Sequence, residues 1–284
     1  MNYSDITIGI VSFKSSKVIF NCLKSIKKIS KIIIIDNSKD IFLKKKIKKY
    51  FPKVKFFFSK KNNGYGDGNN QILKKVKTPY VFILSPDTIL HRNCETELLK
   101  TIRIKKFDFS IIAPLSHEKN YGFFKKKLKL KKTNLLEVDY VKGFAMLFNL
   151  KKIKKIGMFD EKIFLYLEEI DLCRRLRENN DKIYINQKSL IKHIGASSSN
   201  IGFEYDKCRN WHWMWSKAYY EKKYENIFYI YPKYLFILLI LGLKIFFYLI
   251  KFNKKKTIVS YMRFSGLLNS LLGNKSWYRP NLNQ

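Results

Sequence analysis

The chain has 284 residues, enough for one full hydrophobic core or a core with an appendage. Hydrophobic residues make up 46% and aromatics 16%, which excludes a disordered chain. The formal net charge is +35, but the excess is almost all Lys, scattered from Lys14 to Lys275 among abundant Ile, Asn and Phe. That pattern follows a bias in coding-DNA composition, whereas a base-reading surface favours the forked Arg side chain. No nucleic-acid partner is therefore expected. An anionic membrane surface and anionic substrates suit the charge better.

DITIGIVSF (5–13) reads as a strand and 16–28 as a helix. The opening residues carry Asp5 early and no basic n-region, so they are taken as this strand and not as a signal peptide. KIIIID (31–36) is a strand, 41–50 a helix, KVKFFF (53–58) a strand, GNNQILKKV (68–76) a helix, and YVFIL (80–84) and FDFSIIA (107–113) strands. Unalternating apolar strands separated by helices predict an α/β fold, with a mostly parallel central sheet covered on both faces. Ligands of such sheets bind at the carboxyl ends of the strands. Those ends carry Ser12 and Phe13, then Asp36, Asn37 and Ser38, then Ser85, Pro86 and Asp87. Each could be turn chemistry alone; three in one sheet point to a shared crevice.

NNGYGDGNN (62–70) follows the third strand and is not a dinucleotide fingerprint, because Asn69 stands where the third glycine should fall. It reads either as a flexible loop with a helix capped near Asn69, or as backbone brought close to a phosphate or sugar. SPDT (85–88) ends a strand with one carboxylate. Asp87 there suits a turn or a Mg²⁺ or Mn²⁺ ion whose shell is completed by diphosphate and water.

Beyond residue 114 the alternation stops. GFFKKKLKLKK (122–132) is a basic segment, and EVDYVKGFAMLFNL (137–150) a strand pair or one strand bent at Gly143. A short helix turn over 151–156 follows, then FLYLEEIDLCRRL (164–176), whose apolar run leads to an acid cluster opening a helix that reaches about 179, then the strand KIYIN (182–186) and the segment KHIGASSS (192–199). Glu168, Glu169 and Asp171 would sit in a first helical turn, where the helix dipole favours acids; Asp171 and Arg175 have ion-pair spacing on the helix surface.

The composition changes near 205, so 1–205 is expected to be one domain and 206–284 a helical extension. Within the apolar segment 227–250, residues 234–250 are apolar except for Lys244. As a helix they measure about 25 Å, short of the ~30 Å bilayer core. A helix lying in the cytoplasmic membrane surface is expected, with KFNKKK (251–256) meeting anionic head groups. A short tilted span and a buried soluble helix are the alternatives. Trp211, Trp213 and Trp215 read as an interface belt rather than a sugar-stacking platform. His91, His117 and His212 are taken as surface or partly buried side chains, and Cys22, Cys94, Cys173 and Cys208 as buried thiols without metal or redox spacing.

The segments VSFKSS, IIIIDNS, NNGYGDGNNQIL, FILSPDT, DYVKGFAMLF, GMFDEKIFLYLEEIDLCRRL and KHIGASS occur in the order seen in family 2 glycosyltransferases. Over about residues 5–200 the chain most resembles the rhamnosyltransferase-like members that build bacterial surface polysaccharides. The resemblance implies a GT-A fold and an inverting, nucleotide-sugar-dependent enzyme at the cytoplasmic face of the inner membrane. The donor would be a UDP- or dTDP-sugar, rhamnose among the candidates, and the acceptor a lipid-linked glycan. It implies that Ser12, Phe13, Asp36, Gly64, Gly66, Gly68, Asn69 and Asp87 bind the donor. It further implies that Asp87 and His193 hold a divalent cation, that Glu169 is the catalytic base, and that Asp171 supports catalysis or acceptor binding. The cation element reads SPD here, so its first acid is absent. That gap is the argument for an alternative, a non-catalytic membrane scaffold of the same fold.

Overall fold

The computed structural model describes residues 1–104, 107–116, 134–195 and 202–280, with the backbone of 128–129. His117, most of the basic segment 122–132 and the end of KHIGASSS lie outside the described residues. The chain divides into two compact units, Met1–Asp160 with Glu169–Ser199, and Glu161–Glu168 with Asn200–Gln284. The short stretch Glu161–Glu168, inside the expected first domain, thus groups with the helical extension.

The first unit contains, in chain order, β1 (Ile6–Ser12), α1 (Ile19–Ser25), β2 (Ile32–Asp36), α2 (Ile41–Tyr50), β3 (Lys55–Phe58) and α3 (Tyr65–Lys75). Next come β4 (Tyr80–Leu84), β5 (Thr88–Leu90), α4 (Cys94–Ile102), β6 (Ile111–Ser116) and β7 (Leu128–Lys129). The unit ends with β8 (Leu135–Glu137), β9 (Ala145–Asn149), α5 (Leu150–Lys155), α6 (Glu168–Glu178) and β10 (Ile183–His193). Among the described residues the strands form one sheet in the order β3-β2-β1-β4-β9-β6-β10-β8-β7, with β5 also on β10.

The half built from residues 6–84 is parallel, as expected. The other half is mixed, because β9 enters antiparallel between β4 and β6. Side chains alternate across the strands and fill two cores. Ile8, Ile10 and Ile34 pack with Ile19, Leu43 and Leu98 of α1, α2 and α4. Val11, Ile33, Ile35 and Ile83 pack with Ile72, Ile153 and Leu172 of α3, α5 and α6. Both faces of the sheet are therefore covered, which is why its central strands carry apolar runs without alternation.

Three segments depart from the sequence reading. The strand expected at 107–113 begins at Ile111; Phe107 and Phe109 pack instead against Tyr184 and Tyr80. The segment 137–150 is neither a strand pair nor one bent strand: Glu137 ends β8, which joins β10 and β7, residues 138–144 are not strand, and β9 joins β4 and β6. The strand expected at 182–186 continues to His193. It passes an irregularity after Asn186, whose side-chain oxygen accepts the N–H groups of Lys188 and Ser189 at 2.9 and 3.1 Å.

The second unit consists of α7 (Phe203–Tyr224), α8 (Ile227–Ile250), α9 (Lys254–Leu271) and the stretch Glu161–Glu168. Trp211 and Trp215, one turn apart on α7, are buried, whereas Trp213 is 44% exposed. The expected belt is thus mostly core: the strand-like spacing of the three Trp maps onto two sides of a helix. Trp211 donates to Ser265 Oγ at 3.2 Å and Trp215 to the Asn274 carbonyl at 3.0 Å. A side chain at Gly266 would overlap the Trp211 carbonyl, so glycine permits the approach of α9 to α7. His212 is also buried, contrary to expectation, with Nε2 2.9 Å from the Tyr278 carbonyl and Nδ1 3.0 Å from Ser276 Oγ. Burial lowers its pKa to about 3, which keeps the ring neutral.

In Glu161–Glu168, Tyr166 and Leu167 both adopt left-handed backbone, φ 72° and 67°. Arg209 Nε donates to Tyr166 Oη at 2.7 Å and Ser216 Oγ to the Leu165 carbonyl at 2.8 Å, which holds the bend on α7. The helix α8 starts seven residues before the expected 234 and spans 24 residues, about 36 Å at the standard rise. It is long and apolar enough to cross a membrane. Only Ile230, Tyr234 and Leu241 of it are buried. Phe228, Leu235, Phe236, Leu239, Leu243 and Phe246 are exposed, unlike those of a buried soluble helix. All four cysteines are free and buried, and burial pushes each thiol up to about 12.

Candidate active site

The parallel strands deliver their last residues to one edge of the sheet. Ser12 and Asp36 are register partners at the ends of β1 and β2, and both are buried. Asp36 Oδ1 accepts from Ser38 Oγ at 2.9 Å and Oδ2 from the Asp40 N–H at 2.8 Å. Burial raises the Asp36 pKa against the pull of the Asp40 N–H and the Ser38 and Ser12 hydroxyls. Phe13 follows, partly exposed, with its N–H on Ser15 Oγ at 3.1 Å.

The next residue of β2's exit, Asn37, reaches the glycine segment: its Nδ2 donates to the Gly64 carbonyl at 3.0 Å. Gly64 caps α3 with φ 100° and ψ −172°, a region essentially reserved for glycine. The helix then starts at Tyr65, so Gly66, Gly68 and Asn69 are helical and do not belong to a loop. Gly68 has a packing role. A Cβ there would fall 2.7 and 2.9 Å from the two γ-methyls of Val11, and one at Gly9 would fall 2.7 Å from an Ile72 methyl. Helix and strand thus exchange a glycine and a bulky residue twice, and α3 lies close on β1. Asn69 is wholly buried, and neither atom of its amide has a hydrogen-bond partner.

Asp87 and His193 are brought together by backbone pairing. Thr88 of β5 faces His193 of β10 in register, and the Ile194 N–H donates to the Asp87 carbonyl at 3.1 Å. Asp87 Oδ1 then lies 3.4 Å from His193 Nε2, without the alignment of a hydrogen bond. The imidazole stacks on Phe144, ring centroids 4.2 Å apart. The Phe144 carbonyl accepts from the Ser85 N–H at 2.8 Å and Thr88 Oγ1 at 3.2 Å, which fixes the turn carrying Asp87. Among the described residues no three His, Cys, Asp or Glu side chains cluster. A buried carboxylate oxygen lacking a donor, beside an imidazole nitrogen, fits a divalent cation that takes its remaining ligands from a diphosphate and water.

Glu169 lies against Gly143, where a Cβ would fall 3.6 Å from the glutamate's Cβ and Cδ. Its pKa is raised, above all by burial, although its own N–H, the charge of Lys142 and the N–H groups of Gly143 and Ile170 pull the other way. A carboxylate whose pKa is raised is a stronger proton acceptor once ionised than an ordinary one. Asp171 differs. It is 0% exposed and its Oδ2 accepts from Arg175 Nε at 2.8 Å. Arg175 also donates to the Ile156 and Met158 carbonyls at 2.7 and 2.5 Å. The ion pair that the spacing suggested for the helix surface is therefore internal, and it ties α6 to the turn after α5. Glu168 is buried as the last residue of the second unit's short stretch.

Two residues outside the expected set join these groups. Tyr65 Oη donates to the Gly143 carbonyl at 2.7 Å, and Phe144 carries the stacked His193. Asp36 and Asn37, Gly64 and Tyr65, Gly143 and Glu169, and Phe144 with Asp87 and His193 form one connected set of contacts. Phe144 and Gly143 were within DYVKGFAMLF, but only the pairing of β9 with β4 brings them to this edge.

The sequence profile of the family described as Glycosyl transferase family 2 matches residues 7–171. The low-salt glycan biosynthesis hexosyltransferase Agl10 of Haloferax volcanii is 28% identical over 211 residues, 67% of this chain and 66% of that protein. The rhamnosyltransferase WbbL of Escherichia coli K12 is 26% identical over 211 residues, 64% of this chain and 78% of that protein. The chain thus spans just under two thirds of the first of these relatives. Among solved structures, the mannosyltransferase PcManGT from Pyrobaculum calidifontis with GDP-Man and Mn²⁺ superposes with a TM-score of 0.59 at 10% identity, covering 95% of this chain and 88% of that one. S. aureus TarS 1–349 with UDP-GlcNAc gives 0.54 at 15% identity, over 98% and 93%. These likenesses concern the fold, which is GT-A as the sequence motifs implied. Because the family profile covers more than half of the chain, the protein belongs to glycosyl transferase family 2.

Proposed function

We propose that this protein is an inverting glycosyltransferase. It moves a sugar, rhamnose among the candidates, from a UDP- or dTDP-linked donor to a hydroxyl of a growing lipid-linked surface glycan. The observation that carries this reading is the connected edge linking Asp36 to Glu169 through Asn37, Gly64, Tyr65 and Gly143. In it Glu169 takes the acceptor hydroxyl's proton. The acceptor oxygen bonds to the anomeric carbon, and the bond to the diphosphate breaks with its electron pair leaving on phosphate oxygen. One displacement inverts the anomeric centre, whereas retention would need a second carboxylate as nucleophile. Asp36 accepts from the nucleobase beside Ser12 and Phe13, and the amino end of α3 offers its first N–H groups to the donor phosphates. Asp171 supports α6 through Arg175. Asp87 and His193 would hold a divalent cation, which when bound would offset charge on the departing diphosphate. Attachment is peripheral or monotopic, through α8 and Lys251, Lys254, Lys255 and Lys256, at the cytoplasmic face of the inner membrane.

The test is a panel of UDP- and dTDP-sugars, scored for binding and nucleotide release with and without Mn²⁺, on the native chain and on Glu169→Gln. Loss of general-base catalysis lowers turnover about 10²- to 10⁴-fold, with donor binding kept. Because Glu169 must be ionised to act and its pKa is raised, the native rate climbs with pH across a window above the ordinary carboxylate range. Normal turnover by the Gln variant would remove Glu169 from the base role. Donor binding without nucleotide release by the native chain would favour the scaffold alternative.

A further inference from the structure

Tyr65 has two chemically separate neighbourhoods. As the first residue of α3 it follows Gly64, whose carbonyl is pinned by Asn37 Nδ2 at 3.0 Å and by the Gly68 N–H at 3.2 Å. Its own hydroxyl reaches across the sheet edge to the Gly143 carbonyl at 2.7 Å, far from it in sequence. Gly143 has no side chain to fill the space, and Glu169 lies along it with three of its carbons 3.6–3.7 Å from where a Cβ would stand. The ring itself packs at the border of the core between α3 and the sheet, so the phenol is directed by packing. We propose that Tyr65 is a positioning residue: its hydroxyl fixes the Gly143 backbone against which Glu169 rests, and thereby makes the base's position depend on the seating of α3's amino end.

The physical reason lies in which end of Gly143 the other contacts leave to Tyr65: its N–H faces Glu169 and the following Phe144 carbonyl is bound by Ser85 and Thr88, while its own carbonyl takes the Tyr65 hydroxyl. Gly143 sits in the turn just before β9, whose ladder with β4 begins only at Ala145. A glycine ahead of a ladder keeps wide backbone freedom unless a side chain restrains it. The short hydroxyl–carbonyl bond from Tyr65 adds a side-chain restraint at the carbonyl, and a small shift of the base against the acceptor hydroxyl is costly to turnover. The side connected to Gly64 and Asn37 is the donor side of the same edge. A donor that orders the exits of β2 and α3 would therefore tighten the contact under Glu169 as well. This inference rests on the reading of Glu169 as base.

The experiment compares Tyr65→Phe, Tyr65→Leu, Glu169→Gln and the Tyr65→Phe/Glu169→Gln double variant, all in the full chain. The probes are the panel donors with Mn²⁺, together with amide hydrogen exchange over residues 141–145. Tyr65→Phe keeps the ring and should lower kcat about fivefold or more, with donor KM within twofold and faster exchange at 141–145. Tyr65→Leu should match it in kcat. In the Glu169→Gln background the added Phe should change turnover little, because no base remains to be held. Full kcat in Tyr65→Phe with a loss only in Tyr65→Leu would reduce Tyr65 to packing. Unchanged exchange at 141–145 would overturn the clamp even if no donor on the panel is turned over. An active Glu169→Gln would instead sink the base assignment, a separate failure.

Discussion

Gly68→Ala isolates how α3 is set on the sheet. The new methyl would lie 2.7 and 2.9 Å from the γ-carbons of Val11, about 1 Å inside the best carbon–carbon separation. Val11 cannot retreat, because β1 is held between β2 and β4. The helix must move outward instead. Overpacking of this kind costs about 1–3 kcal/mol, and the better helix propensity of Ala returns about 1 kcal/mol. The net loss expected is about 0–2 kcal/mol. Val11→Ala alone removes two buried methyl groups and should cost about 1–3 kcal/mol. In the double variant the methyl added at position 68 occupies part of the space Val11 vacates, so the clash disappears. The two losses should then fail to add by about 1–3 kcal/mol. Urea unfolding followed by far-ultraviolet ellipticity measures this. Tryptophan fluorescence serves as a separate record, since Trp211, Trp213, Trp215 and Trp277 all belong to the second unit. Gly68→Ala should also raise donor KM, because Gly64 and Tyr65 move with the helix. Strictly additive losses would refute the interlocking of Gly68 with Val11.

His212 makes the second unit acid-sensitive. Its pKa falls from 6.5 unfolded to about 3 folded, so between those values the unfolded chain binds the extra proton and stability declines as the pH is lowered. From pH 7 to pH 5 the loss is about 2 kcal/mol, read by tryptophan fluorescence in urea; His212→Gln should flatten that dependence. For the membrane surface, replacing any one of Lys251, Lys254, Lys255 or Lys256 by Gln should lower partitioning to vesicles containing phosphatidylserine about fivefold, as expected for about 1 kcal/mol per charge. Flotation measures it, and an effect that persists at high salt would contradict an electrostatic origin.

The strands of the first half could be read from composition because both their faces are covered. KIIIID and YVFIL have no other use in a soluble fold. The order of chemical groups along the chain was legible for the same reason, since parallel strands deposit their exits on one edge. What could not be read was the start of α3. Three glycines in five residues look like a loop, yet one serves as a left-handed cap and another as a contact surface for Val11. Only the matching glycine in β1, Gly9 opposite Ile72, hinted at this, and pairing it required the fold. Asp171 illustrates the reverse case. Its spacing from Arg175 correctly gave the ion pair, but spacing along a helix does not say which side faces the core. Trp211 and Trp215 fail for that reason too: aromatics just ahead of an apolar segment suggested an interface belt, and the helix turned two of them inward. Tyr65 and Gly143 are 78 residues apart, and no local pattern announces a bond between them.

The burial of every native thiol has a practical outcome. Cys22, Cys94, Cys173 and Cys208 are enclosed and hold their protons at neutral pH, so they will react slowly with maleimides. A single cysteine introduced at Phe228, which is 85% exposed, can then carry an environment-sensitive dye without first stripping the protein of its own. Such a reporter would register lipid contact along the outer side of α8 in otherwise unaltered protein.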